Sequence, residues 1–444
     1  MNQAKKPVFA PLEANNWPIV RKWARLDEVC EGVFDCPHTT PEITDEGPFV
    51  VRSQDVRTGV FRLDQAARVS EETYQDRIAR AEPGFGDILY SREGTYFGLA
   101  AEVPRGVRVC LGQRMVLIRP TAAIETRFLR LWLNSPILHR HIMGFRDGSV
   151  AERLNMPTIR GLPVPTIPLH EQRAIASILG ALDDKIELNR RMNTTLEAMA
   201  RAIFKDWFVD FGPTRAKMEG RAPYLAAEIW SLFPDSLDAD GKPDGWKGGA
   251  LSDVASLNPE SWSRTSYPDT VDYVDLSNTK WGTIEAITPF TSDDAPSRAQ
   301  RILRPGDTIV GTVRPGNGSY AFVSAQGLTG STGFAVLRPI QDIYREAVYL
   351  AATAKENIDR LAHLADGGAY PAVRAELVAA TELFAAPESL FTAFSAATSA
   401  LIDRAEANKL ENRTLAATRD LLLPKLMSGE VRVKDAENLV GEAP

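Results

Sequence analysis

The chain has 444 residues, a hydrophobic fraction of 44% and a net charge of −7, which suits two to four ordinary globular domains. Cys30, Cys36 and Cys110 form no CxxC pair and only five histidines are present, so a reducing compartment and no structural metal are expected. No run of eighteen apolar residues occurs, and MNQAKKPVFAPLEANN has no signal-like core, which argues against a secreted or membrane-spanning protein, and a cytoplasmic one is expected.

The first segment, residues 1–168, reads as mixed α/β. Strands are predicted at Pro48–Arg52, Asp87–Ser91 and Arg114–Arg119, and a helix over Thr126–Ile142 with Phe128, Leu131, Trp132 and Leu138 on its apolar side. Between Ala101 and Pro165 ten arginines stand against four acids. One region is thus basic inside an acidic chain. A proline-rich stretch from Gly148 leads into the longest helical pattern, residues 169–211, about 60 Å at 1.5 Å per residue.

Apolar or small residues recur in that helix in steps of four and three at Ile175, Leu179, Leu182, Ile186, Leu196, Ala200, Ile203 and Trp207, the pattern of a coiled-coil seam. Asn189 and Asn193 occupy the same seam, where a polar residue costs stability but can set register and partner. Residues 212–388 hold a Gly-, Pro- and Asp-rich connector and a second globular segment, followed by a second long helix at 389–427 and a tail at 428–444.

The second half repeats the first. Gly86-Asp87 aligns with Gly306-Asp307 at an offset of 220, and Arg119-Pro120 with Arg338-Pro339 at 219; Asn189, Asn193 and Leu196 then fall on Asn408, Asn412 and Leu415 at 219. A register sustained over this distance indicates a duplicated unit. The second seam runs through Leu401, Ala405, Asn408, Asn412 and Leu415. An antiparallel pairing would let Asn189 and Asn193 bond to Asn412 and Asn408, since an unpaired buried amide costs about 1–3 kcal/mol. Such an alignment would put the two globular units at opposite ends of one rod; the competing expectation is that all four amides face solvent.

Several strings carry a family resemblance: Asp35-Cys36-Pro37-His38-Thr39-Thr40-Pro41, Pro168-Leu169-His170-Glu171-Gln172 before the first long helix, Ala202–Phe208 closing it, and Arg419–Gly429 closing the second. With the alternation of globular unit and long helix, the chain resembles the specificity (S) subunit of type I restriction-modification systems. The resemblance implies an α+β fold with two pseudo-repeated target recognition domains and two long helices forming an antiparallel coiled coil. It also implies a non-catalytic DNA reader without a cofactor, whose domains each contact half of a bipartite double-stranded site. Two adenine-methylation subunits would dock on the helices, and restriction/translocation subunits would join them. The alternative is a coiled-coil scaffold or regulatory protein whose globular domains bind protein partners.

The residues themselves offer no catalytic constellation: no Asn-Pro-Pro-Tyr or Asp-Pro-Pro-Tyr string, no GxGxxG and no GxxxxGK[ST]. The string Arg304–Ser319 reads as a strand leading to a turn at residues 315–318. DNA reading calls for bidentate donors, amides and a phosphate-gripping background. Candidates are Arg92, Thr95, Tyr96 and Arg146 in the first unit, and Arg314, Asn317, Ser319, Tyr320, Tyr370 and Arg374 in the second, chosen because the repeat makes them equivalent. Arg105, Arg108, Arg114, Arg130 and Arg140 read as phosphate neighbours or helix surface. His139 and His141 lie about 200° apart on a helix and do not suit a metal, and His38 reads as structural. Phe204, Trp207 and Phe208 at the end of the first long helix serve either the core of the second unit or docking of the methylation subunit.

Overall fold

The computed structural model describes residues 22–64, 66–94, 96–145, 153–263, 265–366, 368 and 371–436. The chain forms two compact units, unit 1 from Met1–Leu188 with Glu411–Pro444 and unit 2 from Asn189–Leu410. Both divisions fall inside long helices, so each unit owns a segment of each helix.

Unit 1 contains β1 (Cys30–Asp35), β2 (Thr44–Val51), β3 (Ala67–Arg68), α1 (Glu71–Ile78), β4 (Ile88–Ser91), β5 (Ala100–Glu102), β6 (Val109–Leu111), β7 (Met115–Pro120), α2 (Thr126–Leu133), α3 (Pro136–Met143) and α4 (Met156–Arg160). One sheet has the order β1-β7-β4-β5 and is antiparallel throughout; a second, β3-β2-β6, pairs β2 with β6 in parallel. The runs ILYS and MVLI are buried along their length because the pleat sends alternate side chains to two apolar layers. Ile88, Tyr90, Val116 and Ile118 join the layer with α2 and α3, while Leu89, Met115 and Leu117 join the other. The expected single helix over Thr126–Ile142 is corrected to two. Pro136 cannot donate a backbone hydrogen bond, and Ser135 caps a fresh helix by accepting from the Leu138 amide at 3.2 Å.

The first long helix, α5, spans Leu169–Phe208, so the chain leaves it three residues before the expected end at Phe211, which adopts a left-handed φ of 55°. Unit 2 then contains β8 (Ala255–Leu257), β9 (Thr270–Val274), β10 (Thr288–Thr291), β11 (Ala299–Ile302), β12 (Thr308–Gly311), β13 (Tyr320–Phe322), β14 (Leu328–Ser331), β15 (Phe334–Pro339), α6 (Arg345–Ala352), α7 (Lys355–Leu364), α8 (Ala375–Ala379) and the second long helix, α9 (Glu388–Ser428). Its sheets have the orders β8-β15-β12-β13 and β10-β9-β14-β11, with β9 and β14 parallel. This is the topology of unit 1 with one added edge strand, β11. Unit 1 instead packs α1 by its second sheet, burying Tyr74 with Val50, Val69 and Cys110.

A buried ion pair repeats with the strands. Arg119 grips Asp87 through Nε (2.9 Å) and Nη2 (2.7 Å), and Arg338 grips Asp307 the same way at 2.8 and 2.9 Å. Each aspartate also accepts a local backbone N–H, from Gly84 or Arg304, so both lone-pair sets are used. Unit 2 adds Glu260, which binds both Arg304 and Arg338; these two hydrogen bonds hold its carboxyl down to about 2.

Within each unit the two helix segments run antiparallel. In unit 1, Asp183 pairs with Arg419 (2.6 Å) and Lys185 with Glu411 (3.3 Å), and Leu182, Ile186 and Leu415 enter the core. In unit 2 the amide of Asn408 donates to Asn193 Oδ1 at 2.8 Å, and Asn193 donates to the Ala405 carbonyl at 3.0 Å. Ala405, Asn408 and Asn189 are buried; Leu196, Leu401 and Asn412 are half-buried. Ile402, one position on from the expected Leu401, is the residue that the core takes fully.

Candidate nucleic-acid interface

Each unit presents one loop cluster beyond the C-terminal end of its central strand, β4 or β12. In unit 1 the chain after β4 is held by Arg92 N donating to the Arg114 carbonyl and Leu154 N donating to the Arg92 carbonyl, both at 2.9 Å, with Glu93 bridged to Arg153. In unit 2 the equivalent amide, Thr312 N, donates to Gly333 O (2.8 Å), Val373 N donates to Thr312 O (2.9 Å), and Val313 bridges to Ala372. Two stretches far apart in sequence are therefore brought together twice by the same backbone bonds. The bond from Arg314 N to Pro371 O (2.7 Å) sets Arg314 three residues from exposed Arg374 on the adjoining segment.

The side chains on these frames differ. In unit 1, Arg92 is half-buried and pairs with Asp35 at 3.3 Å, Arg114 pairs with Glu93 at 3.2 Å, and the Arg57 guanidinium lies 3.7 Å from the centre of the half-buried Tyr96 ring. In unit 2, Arg314, Asn317 and Arg374 are exposed. Arg314 has φ 47° and Gly318 φ 67°, so the turn at 315–317 is entered and left through left-handed backbone.

Asp35, Cys36 and His38 bring three potential ligand atoms within 4.8 Å of one another. Burial raises the Cys36 thiol above its ordinary value, and the Arg92 guanidinium already occupies the carboxylate. The set suits an ion pair better than a cation, and His38 serves it by pairing with Asp35 at 3.4 Å.

Comparison with known proteins points to one family. Residues 40–198 match the model of the type I restriction modification DNA specificity domain. The chain is 26% identical over 403 residues to the type I restriction enzyme HindI specificity subunit of Haemophilus influenzae, covering 78% of this chain and 86% of that one. It is 21% identical over 375 residues to the MjaIX specificity subunit of Methanocaldococcus jannaschii, covering 83% and 82%. The chain is similar to type I specificity subunits over about four fifths of its length. Among solved structures, the S subunit from M. genitalium aligns over 95% of this chain and 98% of its own at 15% identity and a TM-score of 0.47.

Against this family background several sequence expectations need correction. Ser319 and Tyr320 are buried and cannot reach a base edge. Ser319 instead donates to the Leu276 carbonyl at 3.0 Å and Tyr320 packs in the core of unit 2. Phe204, Trp207 and Phe208 are buried as well, against Phe391, Phe394, Phe233 and Trp246, so these side chains fill the core and offer no docking patch. Thr95, Arg146 and Tyr370 lie outside the described residues.

The basic stretch is also less basic in space than in sequence. Of its ten arginines, Arg108, Arg114, Arg119, Arg127 and Arg130 pair with Glu71, Glu93, Asp87, Asp184 and Asp183. All five of these acids lie outside the stretch. Arg130, expected near phosphate or on a helix surface, is 4% exposed in its side chain and ties α2 to α5. Arg105 lies over the exposed Phe85 ring at 4.7 Å and Arg140 is exposed. Sequence reasoning passed over Arg153 and Trp281. The repeat offset would have located Arg153 opposite Ala372; Trp281 carries no motif, and only its exposure reveals it.

Among the described residues no helix is long and apolar enough to cross a membrane.

Proposed function

We propose that this specificity subunit reads a bipartite double-stranded DNA site, with unit 1 on one half and unit 2 on the other. The observation that carries this is the duplicated frame. The same strand order, buried Arg–Asp pair and loop bridges recur while the side chains at the loop tips differ, which suits two half-sites of different sequence. We assign base or phosphate contact to Arg92, Thr95, Tyr96 and Arg146 in unit 1 and to Arg314, Asn317, Tyr370 and Arg374 in unit 2, and add Arg153. The exposed arginines and the amide have the donor chemistry for guanine, adenine and phosphate.

In this reading α5 and α9 set the unread spacer and dock two adenine-methylation subunits, with restriction/translocation subunits joining that core. Exposed apolar side chains on the helices, Leu188 and Leu421 in unit 1 and Met199 and Leu410 in unit 2, supply the apolar area that docking needs. The set begun with Phe204, Trp207 and Phe208 is thereby replaced. The test is methylome sequencing of a host that expresses the chain with its methylation subunit. A new bipartite adenine motif is expected; methylation without any new motif, or a continuous one, contradicts the reading.

A further inference from the structure

We propose that Trp281 is a one-sided stacking platform for a nucleobase of unit 2's half-site, an inference that rests on the DNA-reading function proposed above. Among the described residues Trp281 is the most exposed aromatic of unit 2, at 60%, and its φ of 45° lies in a region that bulky residues rarely enter. Strain of this kind persists only where the surroundings over-determine it, and here they do. Its amide donates to the Gly318 carbonyl at 2.7 Å and the Gly282 amide to the Tyr320 carbonyl at 2.9 Å. The Gly282 carbonyl accepts from Lys409 Nζ at 2.7 Å. Lys409 is itself held on α9 between Glu406 (2.7 Å) and Glu197 (3.3 Å).

The ring is as fixed as the backbone. A Cβ built on Gly318 would lie 2.5, 2.6 and 2.6 Å from Cδ2, Cε2 and Cε3 of the indole. Near-equal distances to three atoms of the six-membered ring place Gly318 over the ring face, and only a residue without Cβ fits there. Tyr320 stands edge-on at 6.0 Å. One face is covered by the loop that carries Arg314 and Asn317, and the exposed remainder offers the other.

An aromatic with one open face stacks on a base but does not insert between two. It therefore needs a base that has lost a neighbour. Chemistry on a base takes the target out of the stack and leaves such a face behind. Arg314, on the loop that covers the first face, supplies the cation for the backbone grip that stacking sites combine with aromatics.

The test uses the full chain assembled with its methylation subunit and duplexes carrying the motif read from the methylome. Base–aromatic stacking predicts that Trp281→Ala weakens binding about 5- to 150-fold, that Trp281→Phe recovers most of the loss, and that Gly318→Ala, which drives a methyl into the ring, weakens binding as well. Discrimination at unit 1's half-site should survive in all three, which reports that the protein is folded. Replacing each thymine of unit 2's half-site with uracil should leave the wild-type affinity unchanged; a loss seen with the wild type and absent from Trp281→Ala would mark a methyl contact and overturn stacking. A wild-type complex that prefers no duplex overturns DNA reading and the platform with it. A discriminating wild type whose Trp281→Ala variant keeps its affinity overturns the platform alone.

Discussion

Units 1 and 2 are built on one frame and finished differently at the tip. Both hold their tip loop by a bridge to the segment before a short helix, at Glu93 with Arg153 and at Val313 with Ala372. Unit 1 then spends its arginines on internal partners: Asp35 for Arg92, Glu93 for Arg114 and the Tyr96 ring for Arg57. Unit 2 sets exposed Arg314, Asn317, Arg374 and Trp281 on the same scaffold. The helix seams differ in kind too, ionic at Asp183 with Arg419 in unit 1 and amide at Asn193 with Asn408 in unit 2. A duplicated reader must keep the bonds that shape its loops and is free to change what the loops carry.

The comparison can be broken first at the frame. Arg338→Leu should destabilise the protein by about 3–5 kcal/mol, because it leaves the buried Asp307 carboxylate without its cation. Arg119→Leu should cost less, since Arg119 is 32% and Asp87 6% exposed against 22% and 1% for the unit 2 pair. Denaturant midpoints read both; equal losses would mean that the pairs are not graded by burial. Next come the seams. Asn193→Ala or Asn408→Ala should cost about 1–3 kcal/mol by stranding a buried amide, whereas the double change to Leu should cost much less. Additive losses in the double variant would show that the two amides do not act as a pair.

At the tips, Arg314→Ala should lower affinity by about 1–3 kcal/mol at one base position if it reads guanine. Competition binding across single-base variants measures this, and a uniform loss would reassign Arg314 to phosphate. The smallest effect is electrostatic. The Glu260 carboxyl is depressed in the folded state, so its stabilisation is present above its ordinary value of 4.5 and fades as the pH falls toward about 2. Glu260 is 34% exposed, which limits the contribution to at most about 1 kcal/mol. Glu260→Gln should flatten the acid dependence of unfolding in that window, and an unchanged slope would remove Glu260 from the account.

The architecture was legible because it is periodic. Seam spacing located both long helices to within a few residues, and the offset of 219–220 anticipated a duplicated unit; the residues that carried the alignment prove to be ion-pair partners, Arg119 with Asp87 and Arg338 with Asp307. The site was legible only in part. Arg314 and Asn317 are exposed, but Ser319 and Tyr320 point inward, because the chain has already re-entered the sheet there: Tyr320 opens β13, which is buried along its length. The arginine count misled because most of its acids come from α1, the residues flanking β4, and α5, which folding alone brings near. Trp281 could not be found at all, since an exposed tryptophan reads in sequence like a buried one.

The central claim is that each unit reads one half of the site on its own, and a domain exchange tests it most directly. Residues 1–165 would be replaced by the corresponding segment of another specificity subunit, and the methylome of the host sequenced. The account predicts a motif in which one half is new and the half read by unit 2 is unchanged. An unchanged motif, or one altered in both halves, would contradict it.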